Sequence, residues 1–427
     1  MNRTVTAGSS LLLAAAVAAC SSDTVVPPPL VPAHLEIVAG DQQSGSQGMP
    51  LAVPLEASVT ALDGTPIVGM TVNWTVTSGG GSLSPTASTT NADGRASTIW
   101  TLGVLHGAQR ATGSIEWAGQ PAFTATASAS ASSLLAIHYD GNTWSRSLEA
   151  TDCCAELYSV WAASPNDVFA GGGSCGPFIV RYDGSDWGAT PDCTTLGFNS
   201  VQAIAGTSPT GVFAAQRFGD AMEHGTSILH YDGQSWTTSY NTSCASTMCD
   251  KDVRGMWSRT STDVFAVGDG GTILHYDGSA WTTQASGTTA GLSGVWGDEA
   301  TGVVFAVGAA GTILRFNGTT WNSESSGTSQ ALYAIWGSSP TNIFAAGANG
   351  VILHYDGTSW SAMTTGTTRN LRAIWGSGSS VFAVGAGGTI LHHDGTSWSA
   401  QTFSVPISLN GVWGTSPSNV FAVGGPS

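Results

Sequence analysis

Apolar and polar residues alternate in short runs along most of the chain, and glycine-rich turns separate the runs. The stretch "AIWGSSPTNIFAAGANGVILHYDGTSW" (334–360) contains three such runs and a "DG" turn before its last tryptophan. Alternation with a period of two is typical of half-buried β-strands. Helical spacing of apolar residues is not found beyond the N-terminus. The pattern therefore predicts an all-β protein.

The region from residue 134 onwards contains seven repeats of this kind. Each has a "VWG"-type run, a "VFAVG"-type run, a "TILHY"-type run and a run that starts at the tryptophan of "YDGxxW". The Asp or Asn of the turn lies at positions 140, 183, 232, 277, 317, 356 and 394. Four short strands in a repeat of about 40 residues are typical of one propeller blade. The spacing predicts a seven-bladed β-propeller of four-stranded blades over residues 134–427.

The repeat region begins and ends in the middle of a repeat. It starts with "LLAIHYDGNTWSRS" (134–147), which is the third and fourth strand of a blade. It finishes with "LNGVWGTSPSNVFAVGG" (409–425), which is the first and second. We therefore expect the N- and C-terminal strands of the region to pair, because pairing completes the last blade and covers the exposed strand edges. At each hairpin tip the "DG" pair predicts a two-residue type I′ turn.

The repeats resemble the BNR and photosystem-assembly-factor-like propeller repeats of bacterial exported proteins, over essentially all of 134–427. The order D-G-x-x-W is one residue shorter than the D-x-G-x-x-W of the sialidase Asp box. The resemblance therefore implies the fold and carries no activity. All 13 tryptophans of the region occupy repeat positions, which indicates structural packing rather than a separate ligand platform.

A basic-capable residue precedes the aromatic of every Asp-Gly turn. The seven residues are His138, Arg181, His230, His275, Arg315, His354 and His392. A ring of such side chains suits an anion site or a pH sensor. Repetition in every blade instead favours one structural hydrogen bond that is copied seven times, and we adopt this interpretation.

The first 20 residues, "MNRTVTAGSSLLLAAAVAAC", have the basic start and apolar run of an export signal. "VAAC" (17–20) resembles the bacterial lipobox, which implies a lipidated Cys20 and a membrane anchor. Ser21 after the cysteine favours delivery to the outer membrane in that family. The alternative is an ordinary cleaved signal. Residues 21–33 are rich in proline and predict a stiff tether.

Residues 34–131 predict a separate small β-sandwich. Alternating runs with "DG" and "NADG" turns lie in "GTPIVGMTVNWTVTSGGGSLSPTASTTNADGRASTIWTLG" (64–103), which resembles bacterial Ig-like domains of the invasin and intimin type. That family uses such domains as spacers in surface proteins. Trp74 and Trp100 are interpreted as core residues. We expect "ASASASS" (127–133) to be a flexible linker to the propeller.

Composition narrows the possible partners. The net charge is −16 and Lys251 is the one lysine of the chain, so that nucleic acid is excluded as a partner. The six cysteines after Cys20 suggest disulfides in an exported protein. Cys244–Cys249 closes a short loop, and Cys153 and Cys154 are expected to pair with Cys175 and Cys193. A zinc site is the alternative.

The insertions within the repeats fall on one face of the propeller and in its first three blades. The connection from Phe213 to Ile228 is longer than the connection from Phe265 to Ile273, and all six cysteines lie in connections on the same face. Loops that a rigid scaffold holds often carry function, although neutral drift would give the same pattern. The candidate binding residues there are Arg217, Asp220, Glu223, His224, Lys251 and Asp252.

These features favour a monomeric, surface-anchored adhesion lipoprotein that binds a glycan or protein ligand through this loop face. No catalytic residue set, metal site or cofactor motif is found in the sequence. One alternative is a sialidase- or glycosidase-like enzyme, or a lyase. Glycoside hydrolysis requires two carboxylates that face a cleft, and no motif selects such a pair. The other alternative is an envelope assembly factor.

Overall fold

A computed structural model of the chain describes residues 30–103, 107–117, 122–150, 156–173, 177–189, 199–219, 224–244, 252–403 and 407–426. Strands and four single turns of 3₁₀-helix make up the regular structure of these ranges, which confirms the all-β prediction. No helix within the same ranges is long and apolar enough to cross a membrane. The predicted export signal with Cys20, and most of the tether, lie outside the described residues.

The first nine strands form two sheets around a common core. They are β1 His34–Ala39, β2 Gln43–Ser46, β3 Leu55–Thr60, β4 Thr71–Ser78, β5 Gly81–Ser84, β6 Ala87–Thr89, β7 Arg95–Leu102, β8 Gly107–Ile115 and β9 Phe123–Tyr139. One sheet has the order β1-β3-β7-β5, and the other contains β9-β8-β4-β6. Alternating apolar residues of both sheets meet in this core, where Trp74 is 3% and Trp100 is 0% exposed. Both tryptophans are therefore core residues, as predicted.

Strand β9 belongs to both parts of the chain. Residues 123–131 pair with β8, and residues 136–139 pair with β36 (Asn419–Pro426). The prediction of a flexible linker over 127–133 is wrong. The side chains of Ala127, Ala129 and Ala131 are buried in the N-terminal core, since small alternating residues fit under the facing sheet. The two parts of the chain are thus joined by one continuous strand.

Side chains also connect the two parts at this junction. The hydroxyl of Ser46 donates to the carboxylate of Glu149 at 2.5–2.6 Å, and Glu149 pairs with Arg146 at 2.7 Å. Arg146 Nη2 donates to the backbone carbonyl of Gln47 at 3.1 Å. Arg146 and Glu149 belong to β10 (Trp144–Ala150), whereas Ser46 and Gln47 belong to the N-terminal part. The junction therefore has polar cross-links besides the shared strand.

Six separate four-stranded antiparallel sheets follow among the described residues, one for each complete repeat. The first three consist of β11 Leu157–Ser164, β12 Asp167–Gly173, β13 Pro177–Tyr182 and β14 Trp187–Ala189; β15 Asn199–Ser208, β16 Gly211–Gly219, β17 His224–Tyr231 and β18 Trp236–Cys244; β19 Val253–Thr260, β20 Asp263–Gly268, β21 Ile273–Tyr276 and β22 Trp281–Gln284. The other three consist of β23 Leu292–Gly297, β24 Val304–Gly308, β25 Ile313–Phe316 and β26 Trp321–Glu324; β27 Leu332–Ser339, β28 Asn342–Gly347, β29 Ile352–Tyr355 and β30 Trp360–Met363; β31 Leu371–Ser377, β32 Ser380–Gly385, β33 Thr389–His393 and β34 Trp398–Ala400. In the last four of these sheets a 3₁₀ turn links the second strand to the third: Asp269–Gly271, Ala309–Gly311, Ala348–Gly350 and Ala386–Gly388.

The two ends of the repeat region meet in one further sheet. Strand β35 (Ile407–Ser416) pairs with β36, β36 pairs with β9, and β9 pairs with β10. This sheet has an aromatic contact to a sheet on either side. The Phe421 ring lies 5.4 Å from Tyr182 in β13, and the Tyr139 ring lies 5.5 Å from Phe382 in β32. The start and the end of the repeat region are therefore packed against both neighbouring sheets.

The Asp-Gly turns are longer than the predicted two-residue turns. Tyr139 pairs with Trp144, so that four residues form the loop between them. The carboxylate of Asp140 accepts the backbone N–H groups of Asn142 and Thr143 at 2.8 Å, and these bonds lower the pKa of Asp140. Only the glycine, Gly141, has a positive φ, of 100°. The type I′ prediction is wrong because the aspartate caps the turn with its side chain instead of adopting a left-handed conformation.

Candidate functional site

The structure brings two of the predicted binding residues together. Arg217 lies in β16, and Asp252 directly precedes β19 of the next sheet. Arg217 Nε lies 2.9 Å from Asp252 Oδ2 in an ion pair. The Arg217 side chain is 56% exposed, whereas that of Asp252 is 15% exposed. The pair therefore joins two neighbouring sheets and leaves much of the guanidinium surface open to a ligand.

The segment around Arg217 is a hairpin rather than the predicted long loop. Residues 216–219 belong to β16, and residues 224–225 belong to β17, with Gly219 opposite His224. Pairing extends this far because β15 begins early, so that Asn199 and Ser200 lie opposite Phe218 and Arg217. All four strands of this sheet are therefore longer than the corresponding strands β19–β22 of the next sheet.

Gln216 is a second unusual residue of this hairpin. The second strand has a glycine at this place in the other sheets, as at Gly268, where a Cβ atom would lie 2.1 Å from the carbonyl oxygen of Asp252. Gln216 is buried, and its Nε2 donates to Ser227 Oγ at 2.6 Å. Its Oε1 is buried without a hydrogen-bond partner within the described ranges. The strand residue that precedes Arg217 thus contains a buried, unpaired amide oxygen.

Most other predicted site residues fall where the structure gives no description. Nine lie outside the described residues: Cys20, Cys153, Cys154, Cys175, Cys193, Asp220, Glu223, Cys249 and Lys251. His224 and Cys244 lie at the ends of β17 and β18, where only their backbone is described. The disulfide pairings remain predictions. Among the described side chains no group of three His, Cys, Asp or Glu is arranged to hold a metal.

The seven basic-capable repeat residues share a ring contact. Each packs against the phenylalanine ring of the second strand of its own sheet. Ring centroids are separated by 4.3 Å for His138–Phe421, 4.6 Å for Phe213–His230, 4.4 Å for Phe265–His275, 4.7 Å for Phe344–His354 and 4.4 Å for Phe382–His392. The guanidinium carbons lie 5.0 Å from the ring for Arg181–Phe169 and 5.5 Å for Arg315–Phe305.

The predicted hydrogen bond of these residues is not copied in every sheet. His275, His354 and His392 contact Asp263, Asn342 and Ser380 at 2.7–2.8 Å, and Arg181 contacts Asp167 in the same way. His230 faces the position of Gly211, which has no side chain, and the buried Nε2 of His138 has no partner in the described structure. Burial lowers the pKa of His138, His230, His354 and His392. Packing against the phenylalanine ring, rather than hydrogen bonding, is the contact that all seven share.

The first strands of all seven sheets line one cavity of about 430 Å³. We call it the tryptophan cavity, because its wall contains Trp161, Trp257, Trp296, Trp336, Trp375 and Trp413. The repeat positions of these tryptophans predict packing, and the sequence does not indicate a cavity. They do pack: a Cβ atom at Gly297 would lie 2.6 Å from the Trp257 ring of the preceding sheet, and Gly337 and Trp296 are related in the same way at 2.8 Å. The same tryptophans thus join adjacent sheets and line the cavity.

No family model and no curated protein matches the sequence. Solved structures do match. YCF48 bound to a D1 peptide superposes with a TM-score of 0.50 at 14% identity, over 64% of this chain and 90% of that one. The GH74 xyloglucanase from Xanthomonas campestris has a TM-score of 0.50 at 11% identity, over 64% of this chain and 51% of that one. YCF48 from Cyanidioschyzon merolae has a TM-score of 0.47 at 13% identity, over 63% and 95%. At these identities the likeness shows a β-propeller fold and nothing about activity.

Proposed function

We propose that the chain is a non-catalytic binding protein of the bacterial cell envelope, with a propeller head on an Ig-like spacer. Cys20 carries the lipid anchor in this proposal, and residues 21–33 are the tether. The anchor rests on the lipobox resemblance of residues 17–20, and the outer-membrane location rests on Ser21 after the cysteine. Two sheets around Trp74 and Trp100 support the Ig-like assignment of residues 34–131.

The head is a closed ring of seven blades in this proposal. Six complete four-stranded sheets and the sheet β35-β36-β9-β10 supply the seven blades. The contacts of Phe421 with Tyr182 and of Tyr139 with Phe382 support closure, because they join the last sheet to the first and to the sixth. The continuous strand β9 and the Ser46–Glu149 hydrogen bond support a head that the spacer holds in a fixed orientation.

The Arg217–Asp252 pair is the observation that carries the binding function. It lies on the face where the insertions of the first three blades occur, and it joins two of those blades. The exposed guanidinium of Arg217 offers donors to a carboxylate, a sugar hydroxyl or a peptide carbonyl. These donors suit a glycan or a protein ligand.

A comparison of two double variants tests this proposal. The full chain would be applied to a glycan array and to solubilised envelope proteins, beside the variant R217A/D252A. The control is R95A/E56A, which removes an exposed ion pair of 3.0 Å in the N-terminal sheet. We expect R217A/D252A to lose at least tenfold in affinity for whichever ligand is captured, and the control to bind as the parent chain does.

Two results would contradict the proposal. Equal binding by R217A/D252A and the parent chain would show that the Arg217–Asp252 pair is not the binding site. Turnover of chromogenic glycosides by the parent chain would replace the binding function with catalysis. Selective capture of one envelope protein complex, with no glycan bound, would favour the assembly-factor alternative at the same site.

A further inference from the structure

One sheet lacks the tryptophan of the tryptophan cavity. Ala205 lies opposite Phe213 in the strand pairing, as Trp161 lies opposite Phe169 and Trp257 opposite Phe265. In those two sheets the indole lies 6.1 Å and 6.3 Å from the phenylalanine ring. A methyl group takes the place of an indole over Phe213. The cavity is therefore wider there by most of the volume of one aromatic side chain.

The facing sheet differs at the same place. A glycine follows the cavity tryptophan in most sheets, since the indole of the preceding sheet lies against it, as Trp257 lies against Gly297. Ser258 stands at that position opposite Ala205, where no indole arrives. Met256, two residues before it, replaces the valine or isoleucine of the other repeats. Ala205, Met256 and Ser258 therefore form one departure from the repeat, which we call the Ala205 notch.

The Ala205 notch carries a buried hydroxyl group without a partner. All three of its residues line the tryptophan cavity. Ser258 is 6% exposed, and its Oγ has no hydrogen-bond partner in the part of the chain that the structure describes. An unpaired buried hydroxyl destabilises the folded chain, and a ligand with a hydrogen-bonding group would offset that cost. Met256 can adjust its unbranched side chain to different ligands.

The charged residues that line the cavity determine which charge on a ligand is favoured. Asp298 and Glu299 are the charged residues among the described residues that line it, and both are acidic. Asp298 Oδ1 accepts the N–H of Thr301 at 2.8 Å and its hydroxyl at 2.6 Å, which fixes the carboxylate in the turn. Aromatic walls and a carboxylate together favour a cation that carries an apolar group. A volume of about 430 Å³ lies within the usual range for small-molecule sites.

We infer that the tryptophan cavity binds a small aromatic amine. Its flat ring fills the Ala205 notch in place of the missing indole, and a polar atom of the ring hydrogen-bonds to Ser258. Its ammonium group lies toward Asp298 and Glu299. This site is independent of the binding function proposed above, because Arg217 and Asp252 do not line the cavity.

Calorimetric titration of the full chain with three related probes tests the ligand class. The probes are tryptamine, neutral indole and anionic indole-3-acetate. We expect saturable binding of tryptamine, at least tenfold weaker binding of indole, and still weaker binding of indole-3-acetate. Absence of saturable tryptamine binding at millimolar concentration, or equal affinity for tryptamine and indole-3-acetate, would overturn the inference.

Restoring the repeat sequence tests the location. The variant A205W/M256V/S258G gives both sheets of the notch the residues of the other repeats, so that we expect a melting temperature at least equal to that of the parent chain. It should lose tryptamine binding at least tenfold, whereas E299Q should weaken tryptamine and leave indole unchanged. Undiminished tryptamine binding by the triple variant would overturn the inference. If circular dichroism shows that the triple variant is unfolded, A205F alone fills the notch and is judged by the same criterion.

Discussion

His138 and Phe421 stack on each other, with ring centroids 4.3 Å apart and an angle of 23° between the rings. His138 comes from the first repeat strand, and Phe421 comes from the last. Phe421 is 1% exposed and also contacts Tyr182 of the following sheet. One side chain of the C-terminal strand thus packs against the first strand of the repeat region and against the first complete sheet.

Removal of this side chain should destabilise the whole repeat region. Replacement of a buried phenylalanine by alanine costs about 3–5 kcal/mol. We expect F421A to lower the free energy of unfolding by that amount, and deletion of residues 409–427 to abolish cooperative unfolding of the repeats. Urea unfolding measures both effects. L62A is the control, since Leu62 is 84% exposed, and unchanged unfolding of the deletion variant would show that the C-terminal strands do not complete the ring.

Stability should fall as the pH is lowered through the range of histidine titration. Burial lowers the pKa of His138, His230, His354 and His392 from 6.5 in the folded chain. The unfolded state therefore binds more protons below about pH 6.5, and the free energy of unfolding falls with the pH there. Urea unfolding at pH 7.5, 6.5 and 5.5 measures the slope. The variant H138Q/H230Q/H354Q/H392Q should have a flatter profile, and an equal slope in both proteins would contradict this origin.

The junction between the two parts should depend on Glu149. Its carboxylate accepts from Ser46 and pairs with Arg146, and hydrogen bonds to charged groups contribute roughly 1.5–3 kcal/mol. We expect E149A to destabilise the chain by about this amount and to increase proteolytic cleavage near residue 131. The control E56A removes an exposed ion pair and should cost about 1 kcal/mol or less. Similar effects of E149A and E56A would show that the junction contacts add nothing to the shared strand.

The packing of tryptophan against glycine between sheets should be sensitive to one methyl group. A Cβ atom at Gly297 would lie 2.6 Å from the Trp257 ring, and overpacking of this kind costs typically 1–3 kcal/mol. We expect G297A to lower the free energy of unfolding by that amount in a urea titration. Gly188 has open space at its Cβ position, so that G188A should change stability by about 0.5 kcal/mol or less. Equal stability of the two variants would contradict the close packing at Gly297.

The repeat spacing alone predicts the strands, because aspartate or asparagine, glycine and tryptophan recur at fixed positions in every repeat. The exact turn geometry is not predicted, since a capping carboxylate such as that of Asp140 produces the same "DG" signature as a type I′ turn. The alanine–serine run before β10 has the composition of a linker, and only its pairing with β8 reveals a strand.

The candidate sites are less accessible to sequence analysis than the fold is. The position of Arg217 and Asp252 in inserted segments indicates a candidate site, but their ion pair depends on how far β16 extends. The tryptophan cavity depends on seven strands converging from distant positions, which repeat identity alone does not indicate. The absence of an indole at Ala205 is visible in the sequence. The serine at position 258 can be related to Ala205 only when the structure shows that the two residues face each other across neighbouring sheets.

Because strand β9 runs through both parts of the chain without a break, the alternation of its side chains is shared by both parts. Residues on alternate sides of a strand change faces when one residue is inserted or removed. After a single-residue insertion near Ser133, the buried side chains of only one part of β9 would still face their core. Those of the other part would face solvent. Only changes by an even number of residues preserve both faces. The two parts of this chain are therefore not interchangeable modules. A different domain joined to either part must continue strand β9 with the same alternation of buried and exposed residues.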